Sequence, residues 1–345
     1  LDEGKMRLIE FSGRWSYRIR SLWVLFTSGI TVIVRRLLRG PYLPGWSFYF
    51  ELATRFLKRQ TKIAFSLPTA ADAREYGDAI VLNFPCEIKK LRKVRIEPAG
   101  GPPKGLWYTP ISGTRDLTIL YLHGGGFAFY ATAHRNLIAS VALAGPARTF
   151  ALDYRLAPEN PFPAQLEDSI AAYRWLVEAQ SVDPRKLVVM GDSAGGTLVL
   201  ELLLAIRDDP KLDLSQPALA ICFAPWGDLT NSGQSMTSNA ASDWISREML
   251  EQCVRWLGNV DRSDPRASPF QADPAGLPPI FIQTGSVEIL RDQILEFGAK
   301  AGADAVVVEV IENMNHVFQA HGDMIEQSRK AMARVREVID AHVMS

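Results

Sequence analysis

The 345 residues carry 38 lysines and arginines against 38 aspartates and glutamates, a balance that gives no field for holding a polyanion, so no nucleic-acid partner is expected. With 47% hydrophobic residues the chain can bury a large core with a smaller added lobe. Cys86, Cys222 and Cys253 are few, widely spaced and odd in number, which speaks against a disulfide framework or a zinc cluster and suits a reducing, cytoplasmic compartment.

The first 65 residues are basic and aromatic. Between Arg20 and Arg35 runs the apolar stretch 21–34, shorter than the roughly 20 residues that a membrane-crossing helix needs. Basic flanks and the lack of a small-residue cleavage site argue against a secretory signal. Gly40-Pro41-Tyr42-Leu43-Pro44-Gly45 then breaks the chain, and residues 46–56 carry an aromatic face at helical spacing. A membrane-surface anchor is one use for this segment; it is not the favoured one.

From about residue 92 onward strand-like runs alternate with helical ones, which predicts a mostly parallel sheet wrapped by helices. Residues 116–122 read as a buried strand that runs into His123-Gly124-Gly125-Gly126-Phe127. Three consecutive glycines leave bare N–H groups that can approach a developing oxyanion. A phosphate-cradling loop would want GxGxxG or a GK[ST] ending, and neither follows. His134 opens a helical stretch, 134–144. Asp153-Tyr154-Arg155-Leu156-Ala157-Pro158-Glu159 leaves a strand, and Pro163 suits the first turn of a helix carrying Leu166, Ile170, Tyr173 and Leu176. Arg155 and Glu159 are placed to brace the glycine loop.

Residues 186–190 form another strand, from which Gly191-Asp192-Ser193-Ala194-Gly195 turns sharply into a helix. A serine at such a turn projects its hydroxyl from the carboxyl edge of a sheet, and small neighbours let strand and helix approach. Alone, the pattern also fits a glycine-rich connection in any α/β protein; the upstream glycine loop favours a nucleophile. After the strand 218–223 comes a long insertion that includes residues 243–250, with Ser246 placed as a helix N-cap.

The strand 279–285 leads to Ser286-Val287-Glu288-Ile289-Leu290-Arg291-Asp292, where a triad acid belongs. Glu288 comes first after the strand and is preferred to Asp292, which sits one turn later and is placed to pair with an arginine. A serine hydroxyl also needs a base. Of the five histidines, His123 belongs to the glycine loop, His134 opens a helix, His342 lies in the tail and His321 reads as a helix-start residue. His316, just past the strand 305–311, is the base.

Taken together, His123-Gly124-Gly125-Gly126, Asp153–Glu159 with Pro161-Phe162-Pro163-Ala164, Gly191-Asp192-Ser193-Ala194-Gly195, Gly285-Ser286-Val287-Glu288 and Asn315-His316 make the chain resemble the hormone-sensitive-lipase-like (family IV) carboxylesterases of the α/β-hydrolase superfamily. The resemblance spans roughly residues 85–345. It implies an α/β-hydrolase fold, a mostly parallel central sheet with helices on both faces and a helical cap. It also implies a Ser193–Glu288–His316 triad, with the amides of Gly125, Gly126 and Ala194 as oxyanion donors. Many relatives read Asp-Pro-Leu at the acid position, where this chain reads Glu288-Ile289-Leu290; a glutamate is chemically equivalent.

The expected division is residues 1–65 and 226–270 as cap elements, with the core in 66–225 and 271–345. Trp46, Phe48, Trp226 and Trp244 are expected to line the acyl and alcohol pockets. An apolar lid favours a small-molecule ester of short to medium acyl chain, hydrolysed through an acyl-enzyme without metal or organic cofactor. An acyltransferase or a membrane-surface lipase could use the same triad. Relatives often pair through the sheet edge of the last strand, so a homodimer is among the assemblies implied. A histidine base must be neutral, so activity should fall below about pH 6.5 unless its pKa is shifted.

Overall fold

The computed structural model describes residues 8–303 and 305–343. A short ribbon pairs β1 (Ile9–Phe11) antiparallel with β2 (Ile80–Leu82). Between them lie three helices, α1 (Trp15–Arg39), α2 (Phe48–Ala64) and α3 (Ala70–Gly77). The break expected at residues 40–45 separates α1 from α2, with Gly40 and Gly45 in left-handed backbone at φ 74° and 81°. Ser47 then caps α2 by accepting the Phe50 N–H. The apolar stretch 21–34 belongs to a longer helix than its composition suggested: α1 runs for 25 residues. It is fastened to α2 by polar contacts, Gln60 Nε2 to Ser21 Oγ at 2.9 Å and Arg59 Nη1 to Thr27 Oγ1 at 2.6 Å.

After α4 (Pro85–Leu91) the chain enters an eight-stranded sheet. Its strands are β3 (Val94–Pro98), β4 (Gly105–Pro110), β5 (Thr118–Leu122), β6 (Arg148–Leu152), β7 (Leu187–Asp192), β8 (Leu219–Phe223), β9 (Ile280–Gly285) and β10 (Val306–Ile311). The order across the sheet is β10-β9-β8-β7-β5-β6-β4-β3. The six strands β5 to β10 are parallel, and β4 and β3 continue antiparallel from β6. Every residue of β7 and β8 is buried, which is why these strands read as continuous apolar runs instead of alternating ones.

Alternate residues feed two cores, as the period of two in a strand requires. Leu120, Leu122 and Val189 meet α6 (Ala164–Arg174), α7 (Ala194–Asp208), α9 (Arg247–Leu257) and α10 (Arg291–Ala301) through Tyr173, Leu198, Leu250 and Phe297. Ile119, Tyr121, Val188 and Met190 face the opposite side, against α5 (His134–Ala144) and α11 (Glu326–Val343) through Leu137, Ile138, Val335 and Ile339. A short α8 (Ser235–Ser238) lies in the long insertion after β8. Ser246 caps α9 by accepting the Met249 N–H, as its position predicted. The segments leaving the carboxyl ends of β5, β7, β9 and β10 carry the candidate residues, and α2 with the turn before it reaches them: Trp46 Nε1 donates to Asn313 O, and Asn315 Nδ2 donates to Thr54 Oγ1 at 2.9 Å.

Candidate active site

Ser193 stands between the last residue of β7 and the first of α7, with φ 52° and ψ −121°. A side-chain-bearing residue rarely takes this conformation, and such strain persists only where the surroundings hold it. They do so here. The Ser193 N–H donates to Phe223 O at 2.8 Å and its carbonyl accepts the Trp226 N–H at 3.2 Å. The turn is packed onto the end of β5 so closely that a Cβ on Gly191 would lie 2.7 Å from Leu122 O, and one on Gly195 would overlap that same oxygen. Glycine at these two places is a steric requirement.

His316 reaches the turn from the loop after β10. Its Nε2 lies 2.9 Å from Ser193 Oγ, and its Nδ1 lies 3.8 Å from Glu288 Oε1. The second separation is that of an ion pair and exceeds a hydrogen bond. Glu288 accepts the Gly285 N–H at 2.9 Å through Oε2, and both side chains are buried. Burial pulls the His316 pKa down, but the Glu288 carboxylate, then those of Asp243 and Asp192, more than offset it and leave it above 6.5. Asp292 is occupied elsewhere: it accepts the Ser235 N–H at 2.7 Å and pairs with Arg291 at 2.8 Å.

The glycine loop is anchored by the residue preceding the serine. Asp192 Oδ1 accepts Tyr121 Oη–H at 2.7 Å and the Gly124 N–H at 3.0 Å, while Oδ2 lies 3.5 Å from His134 Nε2. Burial would raise the Asp192 pKa, but His134, Tyr121 and Gly124 outweigh it and hold it low. His123 is stacked between Tyr130 and Tyr154, with ring centroids 3.8 and 4.0 Å away, and burial drives its pKa down to about 3, so the ring is a neutral spacer. Tyr154 also donates to His123 O at 2.7 Å. Beyond this anchor Gly125 and Gly126 take φ 107° and 60°; a Cβ on Gly126 would overlap Cys253 Sγ.

Several expectations change. Arg155 does not brace the glycine loop; its guanidinium binds Asp168 and Glu167 on α6, at 2.8 and 2.9 Å. Glu159 pairs with Arg74, which donates to Ala128 O at 2.6 Å. His321 does not start an α-helix; it lies in the 3-10 segment Phe318–Met324, with Nδ1 3.2 Å from Tyr49 Oη, and burial lowers its pKa to about 4. Of the four aromatic residues expected at the pockets, Trp244 alone meets the imidazole, with its ring 5.5 Å away and Nε1 donating to His316 O at 2.7 Å. Trp226 is buried against Phe127 with its N–H on Asn231, Trp46 packs on Phe50, and Phe48 is 43% exposed.

Two further carboxylates, Asp192 and Asp243, bond to the main chain around the site. Asp192 sits inside the serine turn motif, whereas the sequence around Asp243 carries no local signal. Asp243 accepts the N–H groups of Ile289 and Trp244 at 2.8 Å and of His316 at 3.2 Å. Among the described residues no group of three His, Cys, Asp or Glu side chains is placed to hold a metal ion.

A family model of the α/β hydrolase fold matches residues 119–320. An acetyl-hydrolase of Streptomyces hygroscopicus is 38% identical over 220 residues, 62% of this chain and 72% of that protein. The carboxylesterase NlhH of Mycobacterium tuberculosis is 30% identical over 273 residues, 74% of this chain and 83% of its own. The crystal structure of an esterase from the bacterial hormone-sensitive lipase family superimposes with a TM-score of 0.72 at 33% identity, covering 83% of this chain and 97% of that one. The chain therefore belongs to the α/β-hydrolase fold family, among the hormone-sensitive-lipase-like esterases.

Proposed function

We propose that the protein is a serine carboxylesterase that cleaves short- to medium-chain acyl esters through an acyl-enzyme. The observation that carries this reading is the 2.9 Å contact between Ser193 Oγ and His316 Nε2, with Glu288 facing the other ring nitrogen. His316 takes the hydroxyl proton as Ser193 attacks the ester carbonyl, and Glu288 stabilises the imidazolium that forms. The amides of Gly125, Gly126 and Ala194 receive the oxyanion, and His316 returns the proton to the departing alcohol. Water, deprotonated by the same imidazole, then releases the acid. Glu288 is preferred to Asp292 because the latter is spent on Ser235 and Arg291.

Residues 1–65 and 226–270 act as the cap over the core segments 66–225 and 271–345. What supports this is the bonding of α2 to both sides of the site: Thr61 Oγ1 donates to Trp244 O at 3.2 Å, and Thr54 accepts from Asn315 next to His316. Such cover favours small acyl groups, in keeping with the acetyl-hydrolase relative. The free state of Cys86, Cys222 and Cys253 fits a reducing compartment. The test is a chain-length series of nitrophenyl esters on the wild type and Ser193→Ala. The expected result is highest kcat/KM on short chains, abolished in the variant. A folded Ser193→Ala protein that kept wild-type turnover would remove the assignment.

A further inference from the structure

The amphipathic logic of α1 is reversed. The face it turns to α2 is a narrow stripe of small residues, Ser21, Val24, Ser28 and Val32, all buried. Its large apolar side chains point away from the protein: Trp15 is 71% exposed, Trp23 62% and Leu37 81%, with Phe26, Ile30 and Ile33 exposed between them. Positions 15, 19, 23, 26, 30, 33 and 37 follow the three- and four-residue steps of one helix face. At 1.5 Å per residue the stripe is about 33 Å long. An unbroken apolar face of this extent is more than scattered surface hydrophobicity and marks a contact with something else.

Charge decides what that is. The helix holds no acidic residue; Arg14, Arg18 and Arg20 lie at one end, and Arg35, Arg36 and Arg39 at the other. A second copy laid antiparallel on this stripe would bring basic end against basic end. A negatively charged lipid surface would instead attract both ends through Arg18, Arg20 and Arg39, each worth roughly fivefold in partitioning, since Arg14 is paired with Asp72 and Glu75, and Arg35 and Arg36 with Glu51. Trp15 and Trp23 have the apolar ring and single N–H that suit the headgroup boundary. The composition of α1 would also allow it to cross a bilayer. Its attachment does not, because it is tied along its inner face to Gln60 and Arg59 of α2 and at its ends to Glu75 and Glu51.

We propose that α1 is an interfacial helix that docks the protein, lying flat, on an anionic phospholipid surface. This placement is independent of the esterase reading. The test is co-sedimentation of the full chain with phosphatidylcholine vesicles containing phosphatidylglycerol, beside phosphatidylcholine alone. The comparison variant is Trp23→Ser with Phe26→Ser and Ile30→Ser, all exposed positions, with its fold checked by an unchanged melting temperature. The expected result is binding to the anionic vesicles that falls at least about tenfold in roughly 0.5 M salt, where surface attraction is screened, and at least about tenfold in the triple variant. Absence of wild-type binding, or equal binding by the variant, would overturn the proposal. So would a wild-type dimer in solution that ignores vesicles and dissociates in the triple variant, because the stripe would then belong to a second copy.

Discussion

Asp243 Oδ1 accepts the main-chain N–H of His316 at 3.2 Å, while its Oδ2 accepts that of Ile289 at 2.8 Å. A single buried carboxylate thus fastens the loop bearing the imidazole to the turn bearing Glu288, from a segment that belongs to neither. Burial pushes this carboxyl up to about 6, against the pull of His316 and with the push of Glu288. Asp243→Ala would orphan these buried N–H groups, at a cost of about 1–3 kcal/mol each in the worst case. It would also let the imidazole drift from Ser193. The expected outcome is a fall in kcat of about 100-fold with KM little changed, since misplacement of about 1 Å suffices for that loss. Steady-state kinetics on a soluble ester beside a thermal melt separate this from simple unfolding, which would lower active-enzyme concentration and melting temperature without altering kcat per folded site.

The pH profile follows from the charges facing His316. Its pKa lies above 6.5 because the neighbouring carboxylates outweigh burial, so the neutral base is lost as pH falls through that raised value. The acid limb of kcat/KM is therefore expected above pH 6.5, higher than a free imidazole would give. Glu288→Gln removes the strongest upward influence and leaves burial to act. The limb should shift to lower pH, with kcat reduced on the order of 10⁴-fold. A variant whose limb stays in place would show that Glu288 is not the partner of the ring.

Gly126 tests the glycine loop. With φ 60° and Cys253 Sγ in the space a Cβ would need, Gly126→Ala must distort the loop or push α9 aside. Loss of one oxyanion donor typically costs about 10²–10³ in kcat. The expected fall is of that size, with KM nearly unchanged. Adding Cys253→Ala removes the sulfur and should recover part of the lost melting temperature; no recovery would place the obstruction in the backbone conformation itself.

The parts of the site visible in the sequence are those with a local cause. The serine turn is a strand, a small-residue bend and a helix within one stretch, and His316 follows a strand directly. Asp243 could not be read, because its partners lie 46 and 73 positions away and only the tertiary fold brings them together. Arg155 is turned to Asp168 on α6, 13 positions along the chain, and only the packed fold decides between that carboxylate and the glycine loop. The arginines that bound the apolar window 21–34, Arg20 and Arg35, both lie inside α1, with Arg35 facing Glu51 of α2. Trp226 and Trp46 are both buried, with Trp226 against Phe127 and Trp46 against Phe50, contacts that their places in the sequence do not reveal.

Glu201 is a buried acid in α7 that the chemistry does not use, with Oε2 lacking a hydrogen-bond partner. Burial, with a smaller push from Asp264, raises its pKa well above 4.5. The folded protein therefore holds this proton at pH values where the unfolded chain has released it. The associated stability is fully present below the unfolded pKa near 4.5 and is lost progressively as pH rises toward the folded value. Glu201→Gln removes the ionisable proton and with it this pH dependence. Denaturant melts from acid to alkaline pH should show the variant gaining on the wild type as pH rises, by about 1.4 kcal/mol for each unit between the two pKa values. A difference that stays constant across that range would mean that Glu201 ionises in the fold as readily as in the unfolded chain, and that a partner satisfies it.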